Sequence, residues 1–244
     1  RTRTSRRTTS GPSRTRATVG GPPLAEINRQ LDEMGAPHRW IVTQSATRVC
    51  TTILDRATHT ITELVENGRP LAPAELEQFR QACAEEAAKA DVAVIIGSLP
   101  AGVPESLYRD LVERTPCPVV LDFLGEGLLS TLDLKPYVVK PNREELARTV
   151  GHPLATDEEL REAMQSLNRR GATWVVITQG ERPVWVSSAT KVYRLYPSRA
   201  DEIVNPIGCG DAMTAAIAWA TRNGRDIVEA VRLGIAAAGA NLRQ

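Results

Sequence analysis

Near its carboxyl end the chain reads Asn205-Pro206-Ile207-Gly208-Cys209-Gly210-Asp211-Ala212-Met213-Thr214, followed by a small-residue run to Ala220. Two glycines one residue apart let the backbone take positive φ and come close to a ligand. The helix-forming run behind them predicts a turn that feeds a helix N-terminus, where unpaired amides favour an anion. Asp211 is at odds with that setting, because a carboxylate repels the anion the amides attract. Two roles fit it: capping the helix, or taking a proton beside a bound phosphate. Cys209 sits where a helix N-terminus can lower a thiol pKa, or it is a small filler between glycines.

The bulk of the chain narrows the setting. A length of 244 residues, 42% hydrophobic and 24% charged, matches one large α/β domain or two small ones, with enough chain to bury a real core. Aromatic residues make up only 4%, so the core rests on Val, Ile, Leu and Ala. Six arginines precede the first acidic residue, Glu26, and the rest of the chain is net acidic, which argues against a nucleic-acid-binding domain. Cys50, Cys83, Cys117 and Cys209 are scattered without a C-x-x-C pair, which argues against a zinc site and for a reduced, cytoplasmic setting. The apolar runs are strand-sized and too short to span a membrane.

The elements that must position the turn follow in order. Residues 1–16 are a basic tail without large apolar residues, expected to be disordered. Leu24, Ile27, Leu31 and Met34 recur at helical spacing, and Gly35 supplies the stop. Thr47 to Asp55 and Thr60 to Val65 read as strands of a hairpin. Pro73 opens a helix to about Ala90, and Val92 to Ile96 reads as a buried strand ending in Gly97-Ser98-Leu99-Pro100. A helix from Pro104, a strand over Pro118–Asp122, a short helix and a strand over Tyr137–Lys140 repeat the rhythm. Thr156 and Glu159 form a capping-box pattern before the next helix. Strands at Trp174–Thr178, Val184–Ser187 and Val192–Tyr196, then helices over Cys209–Thr221 and Arg225–Leu242, complete the chain. This alternation predicts a parallel sheet covered by helices on both faces, with ligands at the carboxyl ends of strands. The loops at 97–102, 122–126, 140–145, 178–181 and 205–211 all fall there.

Taken together these loops carry a resemblance. Gly208-Cys209-Gly210-Asp211 is similar to the G-x-G-D signature of the PfkB/ribokinase family of small-molecule kinases. Lys140-Pro141-Asn142-Arg143-Glu144-Glu145 resembles the family's K-P-N-x-x-E segment, and Thr178-Gln179-Gly180 its T-x-G nucleotide loop. Gly97-Ser98-Leu99-Pro100 and Thr47-Arg48 resemble the branch that phosphorylates sugar phosphates, which includes 1-phosphofructokinase and tagatose-6-phosphate kinase. The resemblance implies a ribokinase-like three-layer α/β sandwich with a small β lid hairpin. The kinase domain would run over 17–244, with lid strands at about 41–66.

It also implies roles. Asp211 would be the general base for ATP-dependent transfer to a sugar-phosphate hydroxyl, with the amides of Gly208, Cys209, Gly210 and Asp211 as anion hole. Asn142 and Glu145 would hold Mg²⁺ through water, or simply cap a helix. Lys140, Asn142, Thr178, Gly180 and Asn241 are assigned to the nucleotide, and Arg48 and Ser98 to the sugar phosphate. A homodimer through the lid hairpin is the expected assembly.

The match begins only at Val19-Gly20-Gly21, after the family's opening strand and its G-G-x-x-x-N segment, and the chain ends in the final helices, so the domain is expected to be incomplete at both ends. Pro183 replaces the second glycine of the nucleotide loop, and Ala212 stands where Ser is common. The alternative expectation is a degenerate relative that binds nucleotide or sugar phosphate without turnover.

Overall fold

The computed structural model describes residues 15–21, 23–55, 58, 60–197 and 206–243. The chain packs as two units, one drawn from Arg1–Thr52, Glu63–Cys83 and Pro100–Gly102, the other from the remainder.

In the first unit β1 (Thr15–Val19) and β2 (His38–Val42) pair in parallel, with Val19 opposite Val42, and α1 (Pro23–Glu33) connects them. Strand β1 starts two residues inside the expected basic tail, and residues 1–14 lie outside the described residues. β2 was not expected; Ile41 and Val42, assigned to the lid, belong to it. Gly20 lies in a tight crossing: a Cβ there would be 2.2 Å from the Ser45 carbonyl and 2.4 Å from that of Thr43, so only glycine fits.

The hairpin strands are β3 (Cys50–Asp55) and β4 (Thr60–Val65), paired as a sheet of their own. The first starts at Cys50 rather than Thr47. The backbone before it is engaged elsewhere: Thr47 N–H donates to Gly20 O at 2.8 Å, and Val49 N–H to Glu66 Oε2 at 3.0 Å. The joining residues 56, 57 and 59 are outside the described set. After the hairpin comes α2 (Pro73–Ala87).

The second unit is built on a six-stranded sheet in the order β10-β9-β8-β7-β6-β5. Its strands are β5 (Ala93–Ile96), β6 (Val119–Asp122), β7 (Val138–Val139), β8 (Trp174–Ile177), β9 (Val184–Ser187) and β10 (Val192–Leu195). The first four are mutually parallel, and β9 and β10 run antiparallel beyond them. Successive side chains point to opposite faces, so each strand feeds two cores. Val119, Leu121, Val139, Val175 and Ile177 pack with α3 (Ser106–Glu113), α4 (Gly125–Leu129), α5 (Arg143–Val150) and α6 (Asp157–Arg170). Val120, Val138, Val176 and Val186 pack with α7 (Cys209–Arg222) and α8 (Ile227–Asn241). This is the expected α/β arrangement, with helices on both sides of a mostly parallel sheet.

One expectation fails here. β5 is not fully buried: it is the edge of this sheet, and Val94 and Ile96 are 40% and 46% exposed. The reason is topological, since an edge strand has a neighbour on one side only. Among the described residues no helix is long and apolar enough to cross a membrane.

Candidate active site

The turn before α7 is held in a left-handed conformation by Gly208, at φ +80°, a region where a Cβ is strained and glycine is not. Ala212 N–H donates to Gly208 O at 2.8 Å and starts the helix, while Cys209 N–H turns back to Pro206 O at 3.4 Å. The amides of Gly210 and Asp211 therefore have no intrahelical acceptor. Asn241 Nδ2 donates to Ile207 O at 2.7 Å and to Cys209 Sγ at 3.5 Å, tying the turn to the end of α8. Cys209 is thus a packed filler whose thiol also reaches Ala238 O. Asn205 lies outside the described residues.

Asp211 occupies the third position of the helix. Among the described residues its carboxylate takes no hydrogen bond and no ion pair. It is exposed, yet its pKa is raised above the ordinary aspartate value. Partial desolvation is the main cause, the negative charge of Asp122 adds to it, and Lys140 opposes it. A carboxylate without partners and with raised proton affinity is suited to accept a proton.

Beside it stands a group of side chains that sequence reading did not assemble. Lys140, at the end of β7, is only 3% exposed, and its Nζ lies 3.0 Å from Asp122 Oδ2. Thr214, one turn into α7 and buried, donates to the same Oδ2 at 2.7 Å, with Gly210 O at 2.9 Å. A Cβ on Gly210 would meet nothing within 4 Å except Lys140 Nζ at 3.7 Å. The space over the Gly210 amide is open and bordered by a buried cation, which fits the oxygens of a phosphate. Asp122 could have been picked out as an acid at the carboxyl end of a strand. Thr214 carried no signal, because its partner is 92 residues away.

Asn142 and Glu145 meet in a reciprocal capping box. Asn142 Oδ1 accepts Glu145 N–H at 2.8 Å, and Glu145 Oε2 accepts Asn142 N–H at 2.8 Å. Among the described residues that leaves Glu145 Oε1 without a partner, open to a hydrated cation, which fits the reluctance of Mg²⁺ to shed water. Among the described residues no cluster of three or more His, Cys, Asp or Glu could hold a metal directly.

Asn142 also bridges to Thr178, whose carbonyl accepts Arg143 N–H at 3.0 Å, so the two loops lie side by side. Arg143 Nη1 donates to Gln179 Oε1 at 3.0 Å, and Gln179 Nε2 to Pro183 O at 2.7 Å. Gly180 is exposed at φ +65°, and a Cβ added there would meet nothing within 4 Å. Ser98 follows β5 and is exposed. Arg48 belongs to the first unit, is exposed, and makes no hydrogen bond or ion pair among the described residues.

The sheet and its covering helices form a ribokinase-like α/β fold, which solved structures share. Phosphofructokinase-2 from Escherichia coli, in its tetrameric inhibited form, superposes with TM-score 0.85 at 23% identity, covering 96% of this chain and 78% of that one. Arabidopsis thaliana ribokinase, complexed with ribose and ATP, superposes with TM-score 0.72 at 20% identity, covering 96% and 76%. The chain belongs to the pfkB family of carbohydrate kinases, whose profile matches residues 17–244. A curated relative, 1-phosphofructokinase of Haemophilus influenzae, is 28% identical over 216 residues, covering 87% of this chain and 68% of the relative.

Proposed function

We propose that this chain transfers the γ-phosphoryl group of ATP to a hydroxyl of a sugar phosphate, in the manner of 1-phosphofructokinase, with Asp211 as general base. The observation that carries the reading is the free Asp211 carboxylate at the open amide turn, next to the buried Lys140–Asp122 pair. Asp211 takes the proton of the acceptor hydroxyl as it attacks. The amides of Gly210 and Asp211 and the Lys140 ammonium face the charge that builds up on the transferred group, where fixed dipoles and cations act most strongly. Glu145 would hold Mg²⁺ through its free oxygen, and that ion would neutralise phosphate charge. Thr178 and Gly180 would line the nucleotide, and Arg48 would pair with the phosphate already on the sugar, a task suited to a guanidinium fork. Apolar side chains in the open on the hairpin, Ile53, Leu54, Leu64 and Val65, support a homodimer through that element; light scattering that returned a monomer would dispose of it.

The test is a coupled ADP-release assay over fructose 1-phosphate, tagatose 6-phosphate, fructose 6-phosphate and their unphosphorylated sugars. Stimulation by a sugar phosphate and not by the free sugar is expected, with Arg48→Ala raising KM for the phosphorylated acceptor only. No stimulation by any sugar, with ATP still bound, would leave a nucleotide-binding relative without turnover.

A further inference from the structure

Lys140 brings a formal positive charge into a nearly closed environment, and such a charge must be paired. Two carboxylates act on this corner: Asp122, in direct contact with the ammonium, and Asp211, which feels the charges of both Lys140 and Asp122 through space. The structure gives the ammonium to Asp122, at 3.0 Å. It does so with help: the buried Thr214 hydroxyl, from the first turns of α7, donates to the same Oδ2 and prepares that oxygen as a double acceptor.

We propose that Asp122 is a positioning residue for the transfer. Its Oδ2 ties Lys140 Nζ to α7 through Thr214, aims the cation at the open face of Gly210, and keeps it from pairing with Asp211. The inference rests on the kinase reading above. Without Asp122 the long, flexible lysine side chain has one neighbouring carboxylate left, and it pairs with the base. Asp211 then holds an ion pair instead of a free oxygen, and the cation leaves the phosphate slot. Asp122 itself touches neither reactant; it acts through Lys140.

The experiment compares wild type, Asp122→Asn, Lys140→Met and the double variant in the full chain. Asp122→Asn is expected to lower kcat by about tenfold or more, while the Kd for ADP stays within about threefold, since positioning affects the reacting geometry more than resting binding. Because Asp122 works through Lys140, the double variant is expected to match Lys140→Met alone. Losses that multiply in the double variant, or an unchanged kcat in Asp122→Asn, would overturn the proposal.

A second measurement is independent of turnover. Acetylation by an N-hydroxysuccinimide ester, followed by mass spectrometry, reads the lysines one by one, with the exposed Lys89, Lys135 and Lys191 as internal references. Lys140 is expected to react slowly in wild type and several-fold faster in Asp122→Asn, where its remaining partner is the exposed Asp211 carboxylate, while staying slower than the references. If wild type releases no ADP with any acceptor, the kinase reading fails, while this labelling still decides the Asp122–Lys140–Thr214 contact. Equal labelling of Lys140 in both proteins would refute that contact. Should Asp122→Asn not fold, Thr214→Val removes only the hydroxyl; a kcat loss that Thr214→Ser restores supports the tie, and an unaltered Thr214→Val removes it.

Discussion

Replacing Asp211 with Asn changes one oxygen to a nitrogen at a side chain that forms no hydrogen bond and no ion pair among the described residues, so none of their contacts is broken. The two roles open to this residue then give opposite outcomes. As general base its loss costs on the order of 10²–10⁴ in kcat, or about 3–5 kcal/mol of barrier. The raised pKa fixes the sign of the stability effect. The folded-state value lies above the unfolded one because of desolvation and Asp122, so ionising Asp211 works against the fold. That penalty is present above the folded pKa and absent below the ordinary aspartate range, near about pH 4. Asp211→Asn is therefore expected to melt at the same or a slightly higher temperature than wild type at neutral pH, with the difference closing as pH falls. ADP affinity is expected to hold or tighten, since a charge repelling phosphate is gone. The acid limb of the kcat/KM profile of wild type is expected above the usual aspartate range. Coupled ADP release, calorimetric titration with ADP and melting curves at neutral and acid pH measure the three quantities. A variant with wild-type kcat, or one that loses stability at neutral pH, would refute the general-base argument and return Asp211 to a structural role.

Three further outcomes follow from the geometry. Glu145→Gln keeps an oxygen able to accept Asn142 N–H, so the cap persists; the Mg²⁺ needed for half-maximal rate is expected to rise about tenfold, with melting unchanged. Unchanged Mg²⁺ dependence would leave Glu145 as a cap alone. Leu160→Ala empties a position that is 0% exposed in the core beneath α6, and denaturant titration is expected to show a loss of about 2–5 kcal/mol. Gly171→Ala would place a Cβ 2.0 Å from Leu132 O at φ +130°, and a loss of at least about 3 kcal/mol is expected from clash and backbone strain together.

Features with local causes were readable in the chain. The Thr156–Glu159 capping box formed as expected, because its donors and acceptors lie three residues apart. The strands β6 to β9 were visible as short apolar runs, since both of their faces are buried. β2 was missed because its five residues include His38 and Arg39 and show no clear alternation. The start of the hairpin was misplaced because Thr47 and Val49 spend their amides on Gly20 and Glu66, partners that no window of neighbours contains.

At the site the division is the same. The residues of the turn, Gly208-Cys209-Gly210-Asp211, by themselves determined a left-handed entry to a helix with open amides, because glycine content and helix-end chemistry are local properties. Whether Asp211 caps that helix or stands free was undetermined at that level. Only the packing of α7 against the sheet decided it, by letting Asp122 and Lys140, from the ends of two neighbouring strands, act on a carboxylate that takes no hydrogen bond or ion pair among the described residues. Charge interactions act through space, and the chain brings these groups together only when the sheet is formed.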